Sequence, residues 1–176
     1  METLKRLILL NMEGSKIKLK EISQVCVVVK DLEMVIRECW EKLGIGPWKV
    51  YMFAPPRLTE TYYRGKPAYF TAKLALAEVG SIMLEIIQPL NGESIYTEFL
   101  RGKGGGLHHI ACFKFDSLEE VKMAIDEFEK MGIDVIQRGN FEHTKFYYLD
   151  TEKIFGFILE VVYAPPPEPK PDYIYP

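Results

Sequence analysis

LHHIACFKFDSLEEVKMAIDEFEKMGI, residues 107–133, carries a strand, a helix start, an amphipathic helix and a helix stop in one uninterrupted run. The opening LHHIACF is apolar apart from its histidines, as suits a buried strand. Ser117-Leu118-Glu119-Glu120 has the form of a capping box, in which a serine hydroxyl satisfies an orphan amide of the first turn. Leu118, Val121, Ile125 and Phe128 recur at helical spacing and form one stripe. Gly132 supplies the residue on which such a helix can stop. The chain says the same thing earlier. Residues 22–45 read ISQVCVVVKDLEMVIRECWEKLGI, with Asp31 as the cap and Leu32, Val35, Ile36, Cys39 and Leu43 as the stripe. Gly44 is the stop, and EKLGI at 41–45 is answered by EKMGI at 129–133.

Three strand-like segments follow each helix. In the first half they are WKVYMFA (48–54), YFTAKLALAEV (69–79) and SIMLEII (81–87). In the second they are IDVIQ (133–137), HTKFYYLD (143–150) and GFILEVV (156–162). The order is βαβββ, twice. A four-stranded sheet with one helix leaves a face uncovered, so two modules side by side form one core. The expected fold is α+β: two tandem modules whose curved mixed sheet surrounds a cleft, the usual place for a ligand. Residues 1–19 read as an N-terminal arm, 20–90 as the first module and 91–106 as a connecting segment. Ser94 caps that connector, with Ile95, Phe99 and Leu100 as its apolar contacts. Residues 107–164 form the second module and 165–176 a proline-rich tail, extended because proline lacks the amide hydrogen.

Bulk properties narrow the function. Hydrophobic residues make up 48% and charged residues 27%, the profile of a globular chain rather than a disordered one. A net charge of −3 without a basic block gives nucleic acid no footing. Leu7 to Met12 is apolar but too short to span a bilayer. The three cysteines, Cys26, Cys39 and Cys112, are odd in number and lie in apolar runs, which points to buried thiols in a reducing cytoplasm.

Four polar residues stand where the pattern calls for apolar ones. Gln24 shares a strand face with Ile22, Cys26 and Val28; Glu85 with Met83 and Ile87. His109 shares one with Leu107 and Ala111, and Glu160 with Ile158 and Val162. Each module therefore has one such residue on its first strand and one on its fourth. By the same alternation His108 should face away from His109, toward a structural hydrogen bond. Singly, these are ordinary core or sheet-surface residues. Brought together at the repeat axis, two carboxylates with no lysine or arginine at an equivalent position call for a cation. Carboxylates, an imidazole and an amide oxygen suit a divalent ion of intermediate hardness: Zn, Co, Ni, Mn or Fe.

The paired modules, GGLHHIA opening the second and ILEVV closing it, resemble the vicinal oxygen chelate superfamily over residues 20–164. That superfamily includes glyoxalase I, methylmalonyl-CoA epimerase, extradiol dioxygenases and non-catalytic antibiotic-binding proteins. The resemblance implies Gln24, Glu85, His109 and Glu160 as metal ligands, an order like that of glyoxalase I. QPLNGESIYTEFLRGKGGGLHH is closer to the epimerases, which usually have histidine where Gln24 stands. It also implies proton transfer beside a carbonyl through a metal-stabilised enolate, with Glu160 as base and Glu85 as ligand or second base. Epimerases place a further carboxylate on the third strand of the first module; here TAKLALA (71–77) offers Lys73, and Glu78 follows near the strand's end. Implied substrates are an acyl thioester or a 2-oxo-aldehyde adduct, and the implied assembly is a homodimer. A non-catalytic binding protein is the alternative, and a dioxygenase ranks last because one histidine replaces the usual two. The loop from Arg57 to Tyr69 gathers Arg57, Tyr62, Tyr63, Arg64 and Lys66, which suits either an aromatic or anionic substrate or a solvated loop. Gly104 to Gly106 precede a strand rather than a helix, so they make no phosphate cradle. His143 reads as a surface residue or a contact at the cleft mouth.

Overall fold

The structure is a computed structural model that describes residues 17, 19, 21–115 and 117–176. The arm expected over 1–19 therefore lies, apart from Ile17 and Leu19, outside the described residues. The first half comprises β1 (Gln24–Val28), α1 (Leu32–Leu43), β2 (Trp48–Phe53), β3 (Leu58–Tyr63), β4 (Lys66–Pro67), β5 (Phe70–Val79) and β6 (Ile82–Gly92). A connecting helix α2 (Ile95–Lys103) leads to β7 (Gly106–Lys114), α3 (Leu118–Lys130), β8 (Val135–Phe141) and β9 (Thr144–Leu149). The chain ends with α4 (Glu152–Phe155), β10 (Ile158–Tyr163) and β11 (Tyr173–Tyr175).

The helices start and stop where the capping residues fall. Asp31 accepts the Met34 amide at 3.0 Å, Ser94 that of Thr97 at 3.2 Å and Ser117 that of Glu120 at 3.2 Å. Each such cap is worth about 1 kcal/mol. Between α2 and β7 the chain reverses through Gly104, Gly105 and Gly106, whose φ angles are 78°, 115° and 130°. Only glycine takes that path without strain.

All strands join one sheet in the order β11-β2-β5-β6-β1-β7-β10-β9-β8-β3-β4. In each half the first strand runs parallel to the fourth, β1 with β6 and β7 with β10, and β1 meets β7 antiparallel at the centre. Helix α1 covers the outer face of the first half, setting Leu32 and Ile36 on Trp48, Val50, Ala75 and Ile86. Helix α3 does the same in the second half with Val121 and Phe128 on Ile110, Leu149, Leu159 and Val161. The inner face carries Tyr51, Phe53, Phe70, Phe141, Phe146 and Tyr148, and α2 drops Ile95 and Tyr96 into one end of it. Burying each such ring stabilises the fold by roughly 1.5–3 kcal/mol.

Two segments leave the simple repeat. Residues 58–67, within the expected loop from Arg57 to Tyr69, form the β3–β4 hairpin, which crosses to the second half and pairs with the open edge of β8. The tail crosses the other way and pairs β11 with the open edge of β2, Tyr173 to Val50 and Tyr175 to Trp48. An unpaired edge is a template for aggregation, and each half here closes the other's. Arg57 ties the straps together: Nε to Glu142 at 2.6 Å, Nη1 to Asp172 at 3.2 Å and Nη2 to the Lys170 carbonyl at 2.7 Å. Among the described residues no helix is long and apolar enough to cross a membrane.

Candidate metal centre

Gln24, Glu85, His109 and Glu160 come together at mid-sheet, and strand register explains why. Glu85 stands opposite Cys26 and Glu160 opposite Ala111, so in each half the glutamate sits two positions beyond the first-strand residue. The antiparallel contact of β1 with β7 then places Gln24 against Ala111 and Cys26 against His109, which turns both pairs toward one point. Gln24 Nε2 donates to Glu85 Oε2 at 2.9 Å. His109 Nε2 lies 3.1 Å from that oxygen and 3.4 Å from Glu160 Oε2. His109, Glu85 and Glu160 are all buried, and Gln24 is half-buried.

Despite these short separations, His109 Nε2 and Glu160 Oε2 make no well-directed hydrogen bond. A buried polar atom left so costs about 1–3 kcal/mol, and such orphans want a partner. Burial alone would push the His109 imidazole down, but the Glu160 and Glu85 carboxylates outweigh it and raise it to about 9. The point between these groups thus favours positive charge. Ligand atoms about 2.1 Å from a common ion stand about 3.0 Å apart in an octahedron and about 3.4 Å apart in a tetrahedron. The observed spacings fall in that range. A flip of the Gln24 amide, whose O and N are interchangeable by rotation, would turn its oxygen to the same point. The four residues fit a divalent cation.

His108 departs from its expected place. Between Cys26 and Val27 the register with β7 slips from His109 to Leu107, leaving His108 as the extra residue of a β-bulge. The bulge breaks the alternation and puts both imidazoles on one side, Nδ1 to Nδ1 at 2.9 Å. His108 lies edge-on to Phe99 at 4.8 Å between ring centres, and Tyr96 is 5.5 Å away. Burial first, then His109, lowers its pKa well below the usual range, so His108 is neutral and serves as the fixed neighbour of the His109 ring. Cys26 joins these two in a buried cluster whose donor atoms lie within 4.8 Å of one another. Burial and the Glu85 carboxylate push the Cys26 thiol up, so it stays protonated and is the weaker candidate ligand. Sequence reasoning missed both residues as neighbours of the site, although Cys26 shares the face of Gln24 and Glu85.

Lys73 is not brought to this point. It has the parity of Ala75 and Ala77, which pack under α1, and its Nζ meets Glu33 of that helix at 3.0 Å. Glu78 is the ionisable residue of β5 that reaches the cleft. The loop cations also lie elsewhere: Arg57 is bound to Glu142 and Asp172, and Arg64 to Glu98. His143 meets the Pro167 carbonyl and so holds the tail.

A cleft of about 610 Å³ opens above Gln24, Glu85 and Glu160, which line it. Tyr51, Phe53, Phe141, Phe146 and Tyr148 line it, and Pro165 and Pro166 of the tail stand at its mouth. Tyr148 lies 4.9 Å from the His109 ring and accepts a 2.7 Å bond from the Tyr96 hydroxyl. Burial, with the nearby carboxylates, holds both phenols protonated.

A repeated βαβββ sheet curled around such a point is the architecture of the vicinal oxygen chelate proteins. The model of the glyoxalase/bleomycin resistance protein/dioxygenase superfamily matches residues 23–148, and the chain belongs to that family. The uncharacterized protein YqjC of Bacillus subtilis is 33% identical over 99 residues, covering 56% of this chain and 66% of its own length, just under two thirds. Among solved structures, methylmalonyl-CoA epimerase from Mycobacterium tuberculosis superposes with a TM-score of 0.58 at 17% identity, covering 89% of this chain and 96% of that one. A Streptomyces coelicolor methylmalonyl-CoA epimerase in complex with 2-nitronate-propionyl-CoA gives 0.59 at 18% identity over 86% and 99%. A hypothetical protein from Bacillus halodurans gives 0.57 at 20% identity over 85% and 98%. At these identities the likeness is one of fold.

Proposed function

We propose that the protein is a divalent-metal-dependent isomerase, epimerase or lyase that transfers a proton at a carbon next to a carbonyl. The observation that carries this reading is the pair of orphaned atoms, His109 Nε2 and Glu160 Oε2, buried together beside an open cleft that Gln24, Glu85 and Glu160 line. Gln24, Glu85, His109 and Glu160 would hold the ion. A bound divalent ion supplies Lewis-acid polarisation of substrate oxygens. Glu160, facing the cleft with an oxygen free of hydrogen bonds, is placed to take the proton from carbon and return it. Glu85 shares the ligand role, its Oε2 lying 3.1 Å from His109 Nε2. The rings of Phe53 and Phe146 exclude water from the reacting carbon, which strengthens every charge interaction there. Lys73 has no part in this scheme, because it faces α1. We assign the protein to a reducing compartment, since Cys26, Cys39 and Cys112 are all free thiols, and to a homodimer by family likeness.

The test is metal content by elemental mass spectrometry, for the wild type and His109→Ala, followed by solvent deuterium exchange into candidate carbonyl compounds. Near-stoichiometric metal lost in the variant, with exchange at the carbon beside a carbonyl, is expected. Protein that stays metal-free after reconstitution removes this reading and leaves a non-catalytic binding protein on the same scaffold.

A further inference from the structure

We infer that the cleft takes a compact, phosphate-free substrate whose body, beyond the oxygens that meet the ion, is uncharged or cationic; this rests on the metal-dependent reading above. The argument is the charge lining the cleft. Among the described residues lining it are five glutamates, Glu21, Glu78, Glu85, Glu160 and Glu168, and one cation, Lys49. Lys49 is already paired with Glu168 at 2.7 Å. A divalent ion would offset Glu85 and Glu160 at the floor and leave the mouth net negative.

A coenzyme A thioester brings several phosphate charges, and sites for such groups present arginines, lysines or helix N-termini. Among the described residues lining the cleft, Lys49 is the one such group, and Glu168 already binds it. Arg57 stacks on the Tyr51 and Phe141 rings but does not itself line the cleft, and Glu142 and Asp172 already bind it. The walls carry the opposite message. Tyr51, Phe53, Tyr96, Phe141, Phe146 and Tyr148 give the cavity aromatic sides, which favour an apolar body or a cation held over a ring face. Buried Glu160, which lines this cleft and leaves its Oε2 without a hydrogen bond, marks it as a ligand site rather than a chance group of surface acids. So the ligand carried by the Streptomyces neighbour, an acyl-CoA analogue, does not match the charge of this cleft although the folds superpose.

The experiment uses the full chain loaded with Co or Zn and three probes that bind metals through two adjacent oxygens. They are benzohydroxamic acid, its para-trimethylammonio derivative and its para-phosphono derivative, measured by calorimetry at about 0.1 M salt. The neutral and cationic probes should bind at least about ten-fold tighter than the phosphono probe, since a remote anion meets the glutamates of the mouth. The gap should narrow in a Glu78→Gln, Glu168→Gln double variant, and millimolar coenzyme A should displace none of the probes. Equal or tighter binding of the phosphono probe, or displacement by coenzyme A, overturns the substrate class and leaves the metal reading standing. A chain that loads no metal overturns the metal reading itself.

Discussion

The two halves of the molecule present the same constellation with different chemistry. On the β7 side the first-strand residue is His109, sealed between His108 and Tyr148 and fully buried. On the β1 side it is Gln24, half-buried and turned to Glu85. Both glutamates stand at equivalent register positions, so the difference is confined to one residue and its packing. Packing therefore fixes the first-strand residue of the second half, and that of the first half is left partly exposed. A bulge accounts for part of this. It gives β7 one residue more than β1 presents and thereby supplies the His109 ring with its neighbour.

The sharpest break of that contrast is a comparison of His109→Ala with Gln24→Ala. The first should abolish metal loading. The second should weaken it only about ten-fold, as loss of a weak neutral donor does. Equal losses measured by elemental analysis would mean that the halves are not specialised. Next in size is His108→Phe, which keeps a ring against Phe99 but cannot orient His109; affinity should drop by about 10–100-fold with the thermal midpoint little changed. Gln24→His sharpens the comparison from the other side. With an imidazole at both first-strand positions, zinc titration should show tighter binding, by about ten-fold, because imidazole is the better zinc donor.

The straps offer a smaller contrast. Arg57→Ala removes the links between them, and the lost charge-assisted bonds to Glu142, Asp172 and the Lys170 carbonyl should cost about 1–3 kcal/mol by chemical denaturation. The least effect is expected at the Glu33 anchor of β11. Burial raises that carboxyl, but the Tyr173 hydroxyl and the Lys73 ammonium outweigh it and hold it below its ordinary value of 4.5. A carboxyl depressed in the folded state stabilises above its unfolded pKa, and that contribution is lost as pH falls through the folded one. The protection factors of the amides at residues 173–175 should accordingly fall on acidification below pH 4.5, while those of β3 hold. Glu33 is largely solvated, so the change is under about 1 kcal/mol.

What was legible in the sequence had a short period or a short range. Alternation located the strands, the 3.6-residue stripe located α1 and α3, and Asp31, Ser94 and Ser117 marked the helix starts. The meeting of Gln24, Glu85, His109 and Glu160 was visible because polar residues interrupted apolar faces at matching places in a repeat. Leu43 and Leu118, read as stripe residues, are exposed at helix ends, where the stripe has run past its sheet. His108 was misplaced because a bulge adds one residue without any local signature, and alternation fails wherever that happens. The straps were hidden for a different reason: residues 58–67 and the tail pair with edges far away in sequence, and nothing in their own composition names those edges. Lys73 is another matter. Its parity with Ala75 and Ala77 already placed it under α1, and a stricter use of alternation would have set it aside.

The straps also bear on how such a chain came to be. A duplicated half would leave two identical open edges, β2 and β8, each inherited from one ancestor. Yet the segments that close them come from different points of the repeat: one lies between second and third strands, the other after a fourth. The internal symmetry of the two halves therefore ends at these edges, where each is closed by a segment with no counterpart in the other.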